Sequence, residues 1–222
     1  SLEGTWRPEN YSGKFFGPTR LRYALTKSRN LVSIRLLRQI GIRKMIAHAE
    51  KFGFKADELP HNLSLALGSA NVTPLQMSRG YAVLANGGFL IDPYWIERIE
   101  RNGSIEFQAE PVIACEDCET QISQAPSLLA AAADNAASAA VPKLAPRVIS
   151  PQNRFLMYSM MQDVIQQGTA TRAKVLGRRD IAGKTGTTND QRDAWFNGYN
   201  QNIVANVWVG FDSNDKLGRG EF

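Results

Sequence analysis

The stretch AGKTGTTNDQRDAW, residues 182–195, sets Lys184 among the hydroxyls of Thr185, Thr187 and Thr188 and beside Gly183 and Gly186. Working outward, residues 181–187 read as one strand and 194–199 as a second. A turn at 200–202 then leads into a third strand at 203–211. Strands this short, joined by tight connections, pair in sequence order and antiparallel. In the third strand Val204, Asn206, Trp208 and Gly210 share one face, and Ile203, Ala205, Val207, Val209 and Phe211 the other. The second face is wholly apolar, so it is the expected buried one.

Upstream, the periodicity is mostly helical. Residues 20–27 form a short helix, and 30–39 a second with Leu31, Ile34 and Leu37 on one side, stopped by Gly41. A third runs over 43–52 to Gly53. Thr73-Pro74-Leu75-Gln76 is a strong helix start, with Thr73 as cap, Pro74 at the first helical position and Gln76 completing a capping box; Gly87-Gly88 ends that helix. Residues 94–101 and 104–109 flank Asn102-Gly103, a two-residue hairpin signal. Ser150-Pro151 opens another helix that runs to Gly168. The expected fold class is therefore α/β (α+β), an antiparallel sheet flanked by helices on both sides.

The totals exclude several classes. A chain of 222 residues, 43% hydrophobic, suits one packed domain or part of one. No apolar run is long enough for a transmembrane helix, and no charged leader followed by an apolar segment, the mark of a signal peptide, is visible. The net charge of +5 comes from basic residues such as Arg35, Arg38, Arg43 and Lys44 alternating with apolar ones, the pattern of solvated outer helix faces. No exposed aromatic set accompanies them, so no nucleic-acid partner is expected.

Cys115-Glu-Asp-Cys118 lacks two further ligands for zinc, and His48 and His61 have no metal-type spacing. A local disulfide or two inert thiols is favoured over a metal site; no metal and no cofactor is expected. Residues 124–146 are rich in alanine, bounded by prolines and without aromatics, and read as a mobile insertion that buries little.

A single K-T-G occurs by chance, and its bland reading is a surface turn with a solvated lysine. Ser28-Arg29-Asn30 is weaker still, since Ser and Asn often cap helices and either could cap the Leu31 helix. The two tripeptides together are two of the three elements of serine acyl-transfer enzymes that act on penicillin-like substrates, the third being S-x-x-K.

The longer match is more specific. Trp6-Arg7-Pro8-Glu9-Asn10-Tyr11, residues 24–30 (ALTKSRN), Leu65-Ala66-Leu67-Gly68, Thr73-Pro74-Leu75-Gln76-Met77, residues 81–88 (YAVLANGG) and Lys184-Thr185-Gly186-Thr187-Thr188 occur in this order. The chain thereby resembles the C-terminal part of the transpeptidase domain of class A, bifunctional penicillin-binding proteins, closest to the 1a type of Gram-negative bacteria. The resemblance covers nearly all of the chain except 124–146.

That resemblance implies a peptidoglycan DD-transpeptidase on the periplasmic face of the bacterial inner membrane, with stem peptides and β-lactam antibiotics as partners. It implies catalytic roles for Ser28, Asn30 and Lys184: Ser28 relays a proton to the leaving nitrogen, Asn30 holds the acyl side-chain amide, and Lys184 supplies positive potential and takes part in proton relay. It implies that Thr185 and Thr187 bind the substrate carboxylate, that Gly186 lets the strand approach substrate, and that the Thr187 N–H forms half of the oxyanion hole. In physical terms, an anionic C-terminus laid along a strand edge needs a cation, hydroxyls and an open N–H at one end.

The pattern is incomplete. S-x-x-K should lie on a helix a few dozen residues before Ser28, and no such tetrapeptide precedes it. Ser213-Asn214-Asp215-Lys216 has the spacing but sits in a turn-rich segment after K-T-G, so it reads as a decoy. The expectation is a fragment, residues 1–222 forming a partial transpeptidase domain, inactive alone, without the S-x-x-K helix, the domain's C-terminal end, the glycosyltransferase half or the membrane anchor. The alternatives are a wall-binding or penicillin-sensing module without turnover, or a related carboxypeptidase or β-lactamase.

Overall fold

A computed structural model of the chain describes residues 6–116, 118, 143–213 and 215–218. The helices are α1 (Leu21–Thr26), α2 (Asn30–Ile40), α3 (Ile42–Glu50), α4 (Pro74–Ala85) and α5 (Pro151–Gln167). The strands are β1 (Arg98–Arg101), β2 (Ser104–Gln108), β3 (Ala182–Thr187), β4 (Asp193–Tyr199) and β5 (Val204–Gly210). The expected helices and strands all form, with ends moved by a few residues. The largest change is β1, which starts at Arg98 rather than at residue 94.

Helix starts follow local chemistry. Thr73 Oγ1 accepts from Gln76 N at 3.2 Å while Gln76 Oε1 accepts from Thr73 N at 2.8 Å, a complete capping box. Ser150 Oγ accepts from Asn153 N at the start of α5, with Pro151 at the first helical position. The hairpin turn places both Asn102 and Gly103 at positive φ, 51° and 80°, as a two-residue connection of matching twist requires. Arg101 and Ser104 pair directly across it, and a bulge shifts the register at Ile99/Glu100.

The three-stranded sheet has the order β3-β4-β5, antiparallel throughout, as the sequence predicts. Its core contains Val83 and Leu84 of α4, Met161 of α5, Ile149, Ala182 and Tyr199. A second cluster, Leu37, Ile46, Ala49, Leu59 and Leu65, fastens α2 and α3 to the loop that follows them.

Two expectations are corrected. The face of β5 that packs inward is the mixed one. Val204 joins the core beside Tyr199, and Asn206 Nδ2 donates to Ser78 Oγ of α4 at 2.9 Å. Trp208 Nε1 on the same face donates to Asp193 Oδ1 at 2.9 Å. Hydrogen bonds to α4 and β4 thus engage the Asn206 Nδ2 and Trp208 Nε1 donors of that face. Ile203, Val207, Val209 and Phe211 are exposed, so among the described residues helices do not close over that side of β5.

The second correction concerns the alanine-rich segment. Most of it falls outside the described residues, but its end is packed: Ala145 is buried, Leu144 bridges Ile113, and Leu90 N donates to Pro146 O. Cys115 and Cys118 are joined by a disulfide, which settles the open choice between a bond and two thiols. Among the described residues no helix is long and apolar enough to cross a membrane.

Candidate active site

Lys184 lies on β3, an edge strand of the three-stranded sheet, and its side chain reaches the turn between α1 and α2. Nζ donates to Ser28 Oγ at 3.0 Å and to the carbonyl of Thr185 at 2.8 Å. Among the described residues no carboxylate pairs with it. Burial without a counter-charge pushes the ammonium from its ordinary 10.5 down to about 8. An ammonium poised there, in contact with a hydroxyl, can pass a proton near neutral pH and still present positive charge to an anion.

Ser28 is held in a strained backbone conformation, φ 51°, between the two helices. Ser28 N donates to Leu25 O at 3.1 Å and Arg29 N to Ala24 O at 2.8 Å, so the end of α1 fixes the turn. Neither Ser28 nor Asn30 caps α2. Arg29 is the cap residue and makes no side-chain cap bond. The cap comes from far away in sequence, as Leu31 N donates to Asn10 Oδ1 at 3.3 Å. Asn10 is itself buried, with Nδ2 donating to Lys14 O at 2.8 Å. Asn30 is the first residue of α2 and its Nδ2 donates to Glu9 O at 3.0 Å. The loop around Asn10 therefore sets the attitude of Asn30 and of the start of α2. The Arg29 guanidinium stacks on Phe16 of the same loop, 3.3 Å from the ring centre.

The rest of the K-T-G strand divides by face. Thr185 Oγ1 shares a 2.6 Å hydrogen bond with Thr169 Oγ1, just past α5. Thr187 ends β3 exposed, opposite Ala194. Gly186 sits opposite Trp195, where an added Cβ would meet Trp195 Cβ at 3.3 Å, so the absence of a side chain makes room for the indole as well as for anything laid along the strand edge. Thr188 Oγ1 accepts from Asp193 N at 2.8 Å and Arg192 N at 3.2 Å, turning the chain into β4.

The fold thus joins Ser28 to Lys184 directly, with Thr185 next to Lys184 and Asn30 two residues beyond Ser28. Ser213 and Lys216 have other partners. Ser213 lies in a turn with Oγ donating to Asp215 Oδ2 at 2.6 Å, and Lys216 pairs with Asp190 at 3.4 Å. Among the described residues no helix holds the two in register. Sequence reasoning gave no separate role to Asn10 or Thr169, because each acts on a partner distant in the chain.

The chain is similar to known proteins in sequence and in fold. The family described as penicillin binding protein transpeptidase domain matches residues 3–216. The chain is 45% identical to penicillin-binding protein 1A of Pseudomonas aeruginosa, covering 100% of this chain and 29% of that protein. It is 42% identical to penicillin-binding protein 1A of Vibrio cholerae, covering 96% of this chain and 26% of that protein. The crystal structure of penicillin-binding protein 1A from Haemophilus influenzae superposes with a TM-score of 0.84 at 39% identity, over 99% of this chain and 34% of that one. The chain thus spans under a third of the length of the curated relatives named here.

Proposed function

This chain belongs to the penicillin-binding protein transpeptidase family, and from that premise we propose that it forms two walls, S-x-N and K-T-G, of a peptidoglycan DD-transpeptidase site that β-lactams acylate. The observation that carries the reading is the 3.0 Å bond from Lys184 Nζ to Ser28 Oγ, which brings together two motifs from opposite ends of the sequence. In this reading the nucleophile is the serine of an S-x-x-K helix, a tetrapeptide that residues 1–27 do not contain.

That serine attacks the penultimate D-Ala carbonyl, and an acyl-enzyme forms as the terminal D-Ala leaves. Ser28 accepts from Lys184 and relays a proton: its own O–H protonates the leaving nitrogen while it takes up, in exchange, the proton that the attacking serine gives up. An amine of a second stem peptide then takes the acyl group and the serine recovers its proton. Lys184 and the hydroxyls of Thr185 and Thr187 hold the substrate carboxylate, the Thr187 N–H faces the developing oxyanion, and Asn30 orients the acyl side-chain amide. A β-lactam enters as a mimic of the dipeptide and stays bound as the acyl group. The intact protein works on the periplasmic face of the inner membrane, anchored by a segment outside this chain.

The test is intact mass spectrometry after incubation with a penicillin. Residues 1–222 alone should take up no specific adduct, and linking them to the S-x-x-K segment of a 1a-type relative should yield one adduct, on that segment's serine. An adduct mapped to Ser213 or Ser28 overturns the assignment of the nucleophile. A folded hybrid that forms no adduct overturns the transpeptidase reading.

A further inference from the structure

The register of the sheet places Lys184, Asn197 and Asn206 directly opposite one another across β3, β4 and β5. Opposed residues in an antiparallel sheet project to the same side, with Cβ atoms roughly 4.5–5.5 Å apart. This polar row lies between an apolar row, Ala182, Tyr199 and Val204, and the row of Gly186, Trp195 and Trp208. Asn197 occupies the middle strand and is only 5% exposed.

Among the described residues, the buried side-chain polar atoms without a hydrogen-bond partner are Arg29 Nε, Asn197 Oδ1 and Asn206 Oδ1. Two of these fall on this one row, and both are acceptors. Buried acceptors are nearly always paired, so two adjacent orphans point to a bonding pattern that the row is built to adopt. The donors to complete it are at hand. Lys184 Nζ carries three hydrogens and spends two, on Ser28 Oγ and Thr185 O. Asn206 Nδ2 already donates to Ser78 Oγ at 2.9 Å, and Ser78 Oγ donates to Pro74 O at 2.9 Å in the first turn of α4.

We propose that Asn197 is a positioning residue for Lys184, its Oδ1 taking the third Nζ–H while its Nδ2 donates to Asn206 Oδ1. A rotation of the Asn197 amide closes both gaps. The row then runs from donor to acceptor in one direction: Lys184, Asn197, Asn206, Ser78, the carbonyl of Pro74. It ties the K-T-G lysine to α4, whose start is fixed by the Thr73 capping box. Asn197 touches no substrate and acts through Lys184. The proposal rests on the transpeptidase reading for its consequence in catalysis, but the geometry and its test do not.

The charged and titratable groups on the surrounding elements are few. Tyr199 and Asp193 project from the same face of β4, and Asp193 already accepts from Trp208 Nε1. Tyr81 of α4 packs edge-on against Tyr199, and burial pushes both phenols up, so they stay neutral. Arg154 and Tyr158 of α5 are engaged with Leu84 O and Asp180 O, and Asp163 with Arg22. Arg29, beside Ser28, is stacked on Phe16. None of these side chains hydrogen-bonds to Lys184, and the Asn197 amide is the side chain directly opposite it in the sheet register.

Heteronuclear NMR of lysine-labelled chain follows the Lys184 titration directly and needs no substrate. In Asn197→Leu the midpoint should fall by about half a pH unit, since the ammonium loses an acceptor. In Asn197→Asp it should rise by about one unit or more, since a carboxylate replaces the amide. Midpoints equal to wild type in both folded variants overturn the proposal. If Asn197→Leu does not fold, the wild-type chain decides. The Asn197 side-chain amide resonances should shift with the midpoint of Lys184, and amide resonances that ignore that midpoint overturn it. Penicillin adduct formation is read separately, so loss of the transpeptidase reading and loss of this one are distinguishable.

Discussion

Lys184 Nζ donates to Ser28 Oγ across 3.0 Å, joining the edge strand β3 to the tight turn between α1 and α2. One contact spans 156 positions of sequence and unites the two motifs to which the proposed chemistry is assigned. Acylation in the intact protein should therefore respond sharply to Lys184. Lys184→Ala should slow acylation by a penicillin about 100-fold or more, the scale of a lost proton-transfer group. The folded state should survive the change, because no ion pair is broken and a buried charge is removed. Stopped-flow acylation at the wild-type rate would sink the role.

The depressed Lys184 ammonium also makes a prediction about stability. In the folded chain it titrates at about 8, against an ordinary 10.5. Between those values the unfolded chain binds more protons than the folded one, so this group makes stability rise with pH across that window. Below about pH 8 its unfavourable contribution is fully present. Lys184→Met removes the ammonium. Urea unfolding of both proteins from pH 7 to 10.5 should show the wild type gaining on the variant as pH rises, and a flat or falling difference would contradict the burial of Lys184.

Ser28 combines a hydroxyl with a left-handed backbone, φ 51°. The two features separate by substitution. Ser28→Ala and Ser28→Gly both lose the acceptor for Lys184 and should slow acylation alike. Only glycine relieves the backbone, so Ser28→Gly should be more stable than Ser28→Ala by about 1 kcal/mol. Chemical denaturation measures the gap, and equal stabilities would mean that the turn relaxes in the alanine variant.

What could be read from sequence was what neighbours decide. The Thr73 capping box, the Asn102-Gly103 turn and the Ser150-Pro151 start are local devices, and each formed as expected. The K-T-G strand and its two partners followed from alternation and tight turns. The inward face of β5 differs from the alternation, because hydropathy cannot see that Ser78 of α4 will accept from Asn206 Nδ2 or Asp193 from Trp208 Nε1. Ala145 was taken for part of a mobile insertion, since its burial depends on strand-like pairing of its neighbours with Ile113 and Leu90. Asn10 and Thr169 carried no signal of their own, for the same reason. A polar residue whose partner is fixed only by the tertiary fold looks like any other in the chain.

The final prediction follows from Gly168, where the end of α5 presses against α1. A Cβ there would overlap the carbonyl of Thr26, two residues before Ser28, and the backbone of Val164, whose carbonyl accepts from Gly168 N. Its neighbours hold the site from both sides: Lys27 Nζ donates to Gln167 O, and Thr169 Oγ1 bonds Thr185 Oγ1. In Gly168→Ala the clash is with backbone on each side, so α1 must move and carry Ser28 away from Lys184. That should cost about 1–3 kcal/mol, as overpacking of a tight interior does, and should slow acylation in the intact protein as well. Gly177→Ala is the matched control. Its φ of 65° makes alanine unfavourable, but no atom lies within 4 Å of the new Cβ, so it should lose only about 1–2 kcal/mol and leave acylation unchanged. Thermal melts and acylation rates on the pair separate the two causes. A Gly168→Ala protein that is destabilised yet acylates at the wild-type rate would show that the α1–α5 contact does not govern the distance between Ser28 and Lys184.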